Sequence, residues 1–254
     1  MPSIVSRAAR IAGRVAPYAA VPFVLSLLAV QKVSSATGAS DVAFSLKFAL
    51  PADVATLWTV VDPPAGGAAV QSSVPLVAVP VFLVVEAAVV AGFLGGVRDA
   101  YRGDRPDFVA AASDHWVSVL GVRVVQFVVF VGLGALLVTG GLFGVVVGFP
   151  LFILLGYLLW GAPYLVVLRN SDALTAIAES VELASVGDRY LWFSVGYALV
   201  VAAASVPASL LVSTGGIAGV VVGAAAVAYP ALVGSAAATI VVDETAELVA
   251  SRGA

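Results

Sequence analysis

The chain has 254 residues, of which 61% are hydrophobic and only 11% charged, with a net charge of −3. Soluble domains carry about a quarter charged residues, so an ordinary soluble fold is excluded, and the mean hydropathy of +1.10 implies several apolar runs of roughly 20 residues, the length of a bilayer crossing. The absence of cysteine removes disulfides, thiolate metal sites and cysteine nucleophiles, and the single histidine, His115, leaves no histidine cluster for zinc.

Arg7, Arg10 and Arg14 precede the first apolar run, at about 15–30. An arginine-rich start, a short apolar run and the small-residue stretch VSSATGAS also fit a cleaved signal peptide, which would leave five spans. A long segment, 31–73, follows. In it Phe44, Leu46, Phe48 and Leu50 alternate with Ala43, Ser45, Lys47 and Ala49, the pattern of a short half-buried strand. Beyond Pro51, ADVATLWTVV reads as a short helix with Trp58 at the membrane–water interface, and DPPAGG stops it.

Five further apolar runs lie at about 74–97, 116–138, 142–168, 190–212 and 216–242. They are too long for barrel strands, and in hydrocarbon every backbone polar group needs an internal partner, so they are read as helices. Arginines fall in alternate connections: Arg98, Arg102 and Arg105, then Arg169 and Arg189, then Arg252. The other connections hold only Lys32 and Lys47. The positive-inside rule then puts both termini in the cytoplasm and makes 31–73 the extracytoplasmic loop. Of the cytoplasmic connections, 99–115 and 170–189 both look helical. In the second, Leu174, Ile177, Ala178 and Val181 form an apolar stripe, with Asp172, Glu179 and Glu182 facing away. An acidic polar face suits packing on the protein's own cytoplasmic side better than binding anionic lipid.

TGGLFGVVVG begins at Thr139 and TGGIAGVVVG at Thr214, matching at eight of ten positions. Gly140, Gly144 and Gly148, like Gly215, Gly219 and Gly223, are spaced by four, which puts each set on one helix face where another backbone can approach. The expected unit is a surface helix, an ascending span, a TGG turn and a glycine-zipper span, present at about 104–168 and 179–243. The first two spans form a diverged third copy on weaker grounds, with only Gly66 and Gly67 for its turn. Such repeats occur in transporters and equally in bundles enlarged by duplication. The zippers pack helices or line a path between them.

Glu86, within LVVEAAVV, and Arg123, within GVRVVQF, are the intramembrane charges, and such groups tend to pair or face water. Counted from the cytoplasmic ends of their spans, their levels differ by roughly 7 Å, within reach of two long side chains. Three readings follow: a structural ion pair, a polar site for solute or protons, or a snorkelling Arg123 beside a protonated Glu86. Gln126, one turn from Arg123, extends the polar patch or makes an interhelical hydrogen bond. His115 with Asp114 and Trp116 reads as an interfacial helix end, and Asp99, Asp104 and Asp107 among Arg98, Arg102 and Arg105 as a solvated loop. No phosphate-binding Gly-Lys-Ser/Thr and no basic aromatic patch for nucleic acid occurs.

Two stretches, AGFLGGVRDAYRGDRPDFVAAASDHW and PYLVVLRNSDALTAIAESVELAS, resemble segments of uncharacterised multi-pass membrane proteins of halophilic archaea. They are also similar, loosely, to the membrane domain attached to some glycerophosphodiester phosphodiesterases. The resemblance covers the C-terminal two-thirds of the chain and implies a six-helix integral membrane fold. The soluble phosphodiesterase domain is absent here, so its activity does not carry over. The Val-, Ala-, Gly- and Asp-rich, Lys-poor composition fits a GC-rich, halophilic source.

The expectation is thus an all-α polytopic transmembrane bundle of six spans, a single membrane domain over 1–254, N-in and C-in, with duplicated hairpin units and cytoplasmic amphipathic helices. It is expected to be non-enzymatic, without cofactor or metal, a transport-related or membrane-organising component of the cytoplasmic membrane. The alternative is a structural or partner-anchoring protein. Membrane lipid, a cytoplasmic protein or a second copy are the expected partners, and nucleic acid is not.

Overall fold

The computed structural model describes residues 3–37, 45–62 and 78–253. Among these the chain is helical: α1 (Ile4–Arg14), a 3-10 turn (Ala16–Ala19), α2 (Ala20–Leu28), α3 (Val30–Thr37), α4 (Leu57–Val60), α5 (Val79–Arg102), α6 (Phe108–Thr139), α7 (Gly141–Phe143), a π-helical turn (Gly144–Gly148), α8 (Phe149–Leu159), α9 (Ala162–Arg169), α10 (Ala173–Val186) and α11 (Asp188–Gly253). By length and composition four stretches are able to cross a membrane: Val79–Arg102, Phe108–Thr139, Gly141–Arg169 and Asp188–Ser251. The pair Ile4–Arg14 and Ala16–Leu28, bent by 95°, makes a fifth if counted as one broken span.

At 66 residues α11 would be about 100 Å long if straight, several times a hydrocarbon core. It reverses instead at Gly216, whose φ of 53° and ψ of −135° are non-helical. A Cβ on Gly234 would lie 3.2 Å from the Tyr197 ring, and one on Gly187 2.8 Å from Thr245, so the limbs 188–215 and 217–253 lie antiparallel. The α6–α8 connection reverses at Gly141, with φ of 56°, a region that costs glycine nothing and other residues strain. In both TGG turns it is therefore the second glycine that turns the chain. Past each turn, a Cβ on Gly144 would overlap the Leu136 carbonyl oxygen, and one on Gly219 that of Leu211. The two differ in that 144–148 is a π-helical turn whereas 219–223 is regular helix.

The first apolar run is not one straight helix. α1 is strongly amphipathic and lays Ala8, Ile11 and Ala12 against the bundle, while Arg7 and Arg189 both grip Glu244 on α11. Arg14 donates to the Ala100 carbonyl at 3.1 Å. α2 then departs at 95°. The connection 99–115 also differs from a separate surface helix. α5 continues to Arg102, Gly103 closes it with φ of 88°, and α6 begins at Phe108, its first turn capped by Asp107, which accepts from the amides of Val109 and Ala110.

α10 does form within 170–189, but its buried side is Ala176, Ser180 and Leu183. Of the expected stripe, Leu174, Ala178 and Val181 are exposed, Leu174 at 73%, and Ile177 alone packs half-buried against the core. Small residues won the inner face because α10 lies close against its neighbours: a Cβ on Gly121 would sit 2.6 Å from that of Ala173, and Ser180 Oγ donates to the Leu158 carbonyl at 2.6 Å. Asp172 caps α10 by accepting from the Leu174 and Thr175 amides and the Thr175 hydroxyl, which holds its carboxyl below the usual value of 3.8. A depressed carboxyl adds stability that is complete above the unfolded value and is lost as pH falls through the folded one. Protection of the Leu174 and Thr175 amides, relative to the unfolded chain at the same pH, should therefore fall below about pH 4, and Asp172→Ala should show the low protection at neutral pH.

Candidate functional site

The fourth apolar helix breaks at Trp160 and Gly161, and its inner half, α9, is enclosed: Ala162 to Leu168 are all buried. Breaking a helix frees carbonyls that need partners. Gln126 Nε2 donates to the Leu159 carbonyl at 3.2 Å and Ser180 to that of Leu158, while the Gly161 amide donates to the Tyr190 hydroxyl at 3.1 Å. At the far end of α9, Arg98 donates to the Val167 carbonyl at 3.1 Å and Arg102 to that of Leu168 at 2.5 Å, cations at the negative pole of a helix. Arg98 also pairs with Asp99 at 2.7 Å and reaches His115 Nε2 at 2.9 Å. Arg98, Asp99 and His115 thus form a packed cluster: Asp99 and His115 are 9% and 7% exposed. That corrects the solvated loop and the interfacial helix end for these residues. Arg102, Asp104, Arg105 and Asp107 are exposed.

The main departure from expectation lies in the long connection after the first apolar run. Residues 45–62 do not form a loop in water, and 45–50 form no strand; Ala43, Phe44 and most of DPPAGG lie outside the described residues. The segment inserts among the helices with little regular structure of its own, α4 covering only Leu57–Val60. Its alternation runs opposite to a buried apolar face: Leu46 and Phe48 are 59% and 63% exposed. The inward side is held by serines that stand in apolar helices. The amides of Ser45 and Lys47 donate to Ser209 and Ser205 Oγ, both at 3.1 Å, and the Leu57 amide donates to Ser26 Oγ at 2.9 Å. Ser235 Oγ donates to the Asp53 carbonyl and the Tyr164 hydroxyl to that of Ala52, both at 3.0 Å. Trp58 is not interfacial: it is 4% exposed and its indole donates to the Ser26 carbonyl at 2.6 Å. Irregular backbone at membrane depth is tolerated only where protein or a polar cavity satisfies it, and here serine hydroxyls do so.

The segment carries Asp53 to Arg123. Arg123 sits midway along α6, about 24 Å from that helix's end at Thr139 at 1.5 Å per residue. Its Nη2 pairs directly with Asp53 and stands 3.3 Å from Glu86 Oε1, and its Nη1 donates to Gln126 Oε1 at 3.0 Å. Its Nε is buried with no partner among the described residues. The structure thus brings Glu86, Arg123 and Gln126 together and adds Asp53, from the segment expected to be the outer loop. The overlooked signal was the serines: Ser205 and Ser209, spaced by four, put two hydroxyls on one face of an apolar helix.

A groove of about 700 Å³, open to the surroundings, runs along α6 beside α5, with Glu86, Arg123 and Gln126 lining one end. Leu83, Phe127, Phe130, Val131 and Val138 are among its apolar walls. The expected zipper glycines lie elsewhere, within the hairpins. A Cβ on Gly148 would meet Leu137 at 3.1 Å and one on Gly223 would meet Leu57 at 3.2 Å; one on Gly140 would meet Leu136 O at 2.6 Å, and one on Gly215 nothing. Close approaches between α5 and its neighbours are instead at Gly92, where a Cβ would lie 2.8 Å from the Phe108 carbonyl oxygen, at Gly95, where it would overlap that of Ala111, and at Gly96, where it would lie 2.5 Å from the Tyr18 ring. Among the described residues no three His, Cys, Asp or Glu side chains are placed to hold a metal. No family model, curated protein or solved structure matches the chain.

Proposed function

We propose that the chain is a non-enzymatic, six-span protein of the cytoplasmic membrane with both termini inside, and that it acts as a transport-related component taking its solute from the lipid side at the Asp53–Arg123–Glu86 site. The carrying observation is the irregular segment that brings Asp53 to the middle of α6 beside a groove open to the surroundings. Backbone of this kind and buried charges are both costly in hydrocarbon, and a plain helix bundle needs neither. Counting the limbs of α11 separately, with the bent α1–α2 pair as one crossing, gives six spans. The matched geometry at Gly141 and Gly216 supports the duplicated hairpins, and the likeness to halophilic archaeal membrane proteins belongs to the same reading.

Glu86→Gln leaves Arg123 paired with Asp53, so the fold should persist while the lateral site loses its second carboxylate. With the purified chain in liposomes, exchange of a fluorescent membrane-soluble amphiphile between leaflets should be faster than in empty liposomes, and Glu86→Gln should abolish the gain. Equal rates with the variant would remove Glu86 from the mechanism. The second reading, a structural or partner-anchoring protein, is favoured by the triad's tying of three separate segments. It predicts that Glu86→Gln lowers stability and leaves exchange untouched.

A further inference from the structure

The charges at that end of the groove do not balance. One guanidinium faces two carboxylates, leaving an excess negative charge if all are ionised, in surroundings where an unpaired charge is costly. Asp53 is the closer partner, its side chain 10% exposed; Glu86 stands at 3.3 Å and is 32% exposed. Glu86 is also the carboxylate that lines the groove. We propose that the groove binds an amphiphile with a cationic, amine-type head, the head on Glu86 and the apolar chain running along Phe127, Phe130, Val131 and Val138. This rests on the lateral-access reading above and names its ligand class.

Size and lining agree with that occupant. The groove's volume, about 700 Å³, falls within the range of small-molecule sites, roughly 300–1,000 Å³. From Arg123 to Thr139, both lining it, the rise along α6 is about 24 Å, room for a long alkyl chain. Phe127, one turn beyond Arg123 and also lining the groove, adds an aromatic ring, a group whose face attracts cations at short range. A carboxylate or phosphate head would meet the excess negative charge, so an anionic amphiphile of the same length is disfavoured.

Two spin-labelled probes decide the matter: a hexadecyl chain bearing a quaternary ammonium head, and a chain of equal length bearing a carboxylate. Each is titrated against the purified full chain in a zwitterionic lipid bilayer, and the motionally restricted fraction is read by electron paramagnetic resonance. The ammonium probe should bind at least tenfold more tightly than the carboxylate probe, and Glu86→Gln should erase that preference. A second variant, Gly134→Leu, fills the groove from a position where an added Cβ meets nothing within 4 Å, in a helix where leucine is the better helix former. It should weaken ammonium binding at least tenfold without loss of fold. If both probes bind equally and Gly134→Leu weakens both, the cationic class is overturned while lateral access stands. If neither probe is restricted, or Gly134→Leu changes nothing, both readings fall.

Discussion

Arg123→Met is expected to be the most destabilising of the single substitutions at the candidate site. It leaves Asp53 and Glu86 in a largely apolar interior without their shared cation. Removing one partner of a buried ion pair typically costs about 3–5 kcal/mol, because the remaining charge is stranded. The loss should exceed that of either carboxylate variant, since Asp53→Asn or Glu86→Gln each leaves a neutral pair. The triple change Asp53→Asn, Glu86→Gln, Arg123→Met should recover most of it. Thermal unfolding in detergent compares the five proteins; a triple variant as unstable as Arg123→Met would mean that charge stranding is not the cause.

Gly95→Leu should rank next. A Cβ at Gly95 already overlaps that of Ala111, whereas one at Gly132 in the same helix pair meets nothing within 4 Å. Overpacking of this kind costs about 1–3 kcal/mol and more where backbone must shift, so a loss near 3 kcal/mol is expected for Gly95→Leu. Gly132→Ala should instead gain about 0.5–1 kcal/mol from helix propensity alone. The same unfolding assay reads both, and similar effects from the two changes would contradict the tight α5–α6 crossing.

The helical class was legible because hydrophobic runs report it directly, and the two TGG turns because glycine in the left-handed region has few substitutes. Glu86 and Arg123 were legible for a similar reason, a charge in an apolar run being conspicuous. Asp53 was not. It stands two residues past Pro51 in ALPADVATLW, a stretch too short to read as a span, and the depth of that segment is set by partners 158 to 182 positions away in sequence, Ser205, Ser209 and Ser235. Composition hides such serines, since a hydroxyl that donates to its own helix, as Ser205 does to the Ala202 carbonyl at 2.7 Å, costs an apolar run little. The orientation of α10 failed for a different reason. The expectation sets the leucine and valine stripe against protein, but where helices cross closely small residues take the contact face and larger ones are left outside it. The glycine zippers illustrate the same rule at another scale: spacing shows that a face is narrow, not which neighbour uses it.

The Arg123-centred site depends on residues 45–62 lying inside the bundle, and a cysteine-free chain lets that be tested with one pair of introduced thiols. Leu57→Cys with Gly223→Cys, treated in native membranes with a short bifunctional thiol reagent, should give an intramolecular cross-link between the two positions, because a Cβ at position 223 would lie 3.2 Å from the Leu57 side chain, and Asp53, Ser205, Ser209 and Ser235 are left in place. Absence of that link, together with rapid labelling of the position-57 thiol by a membrane-impermeant maleimide, would place the segment in water and contradict the account.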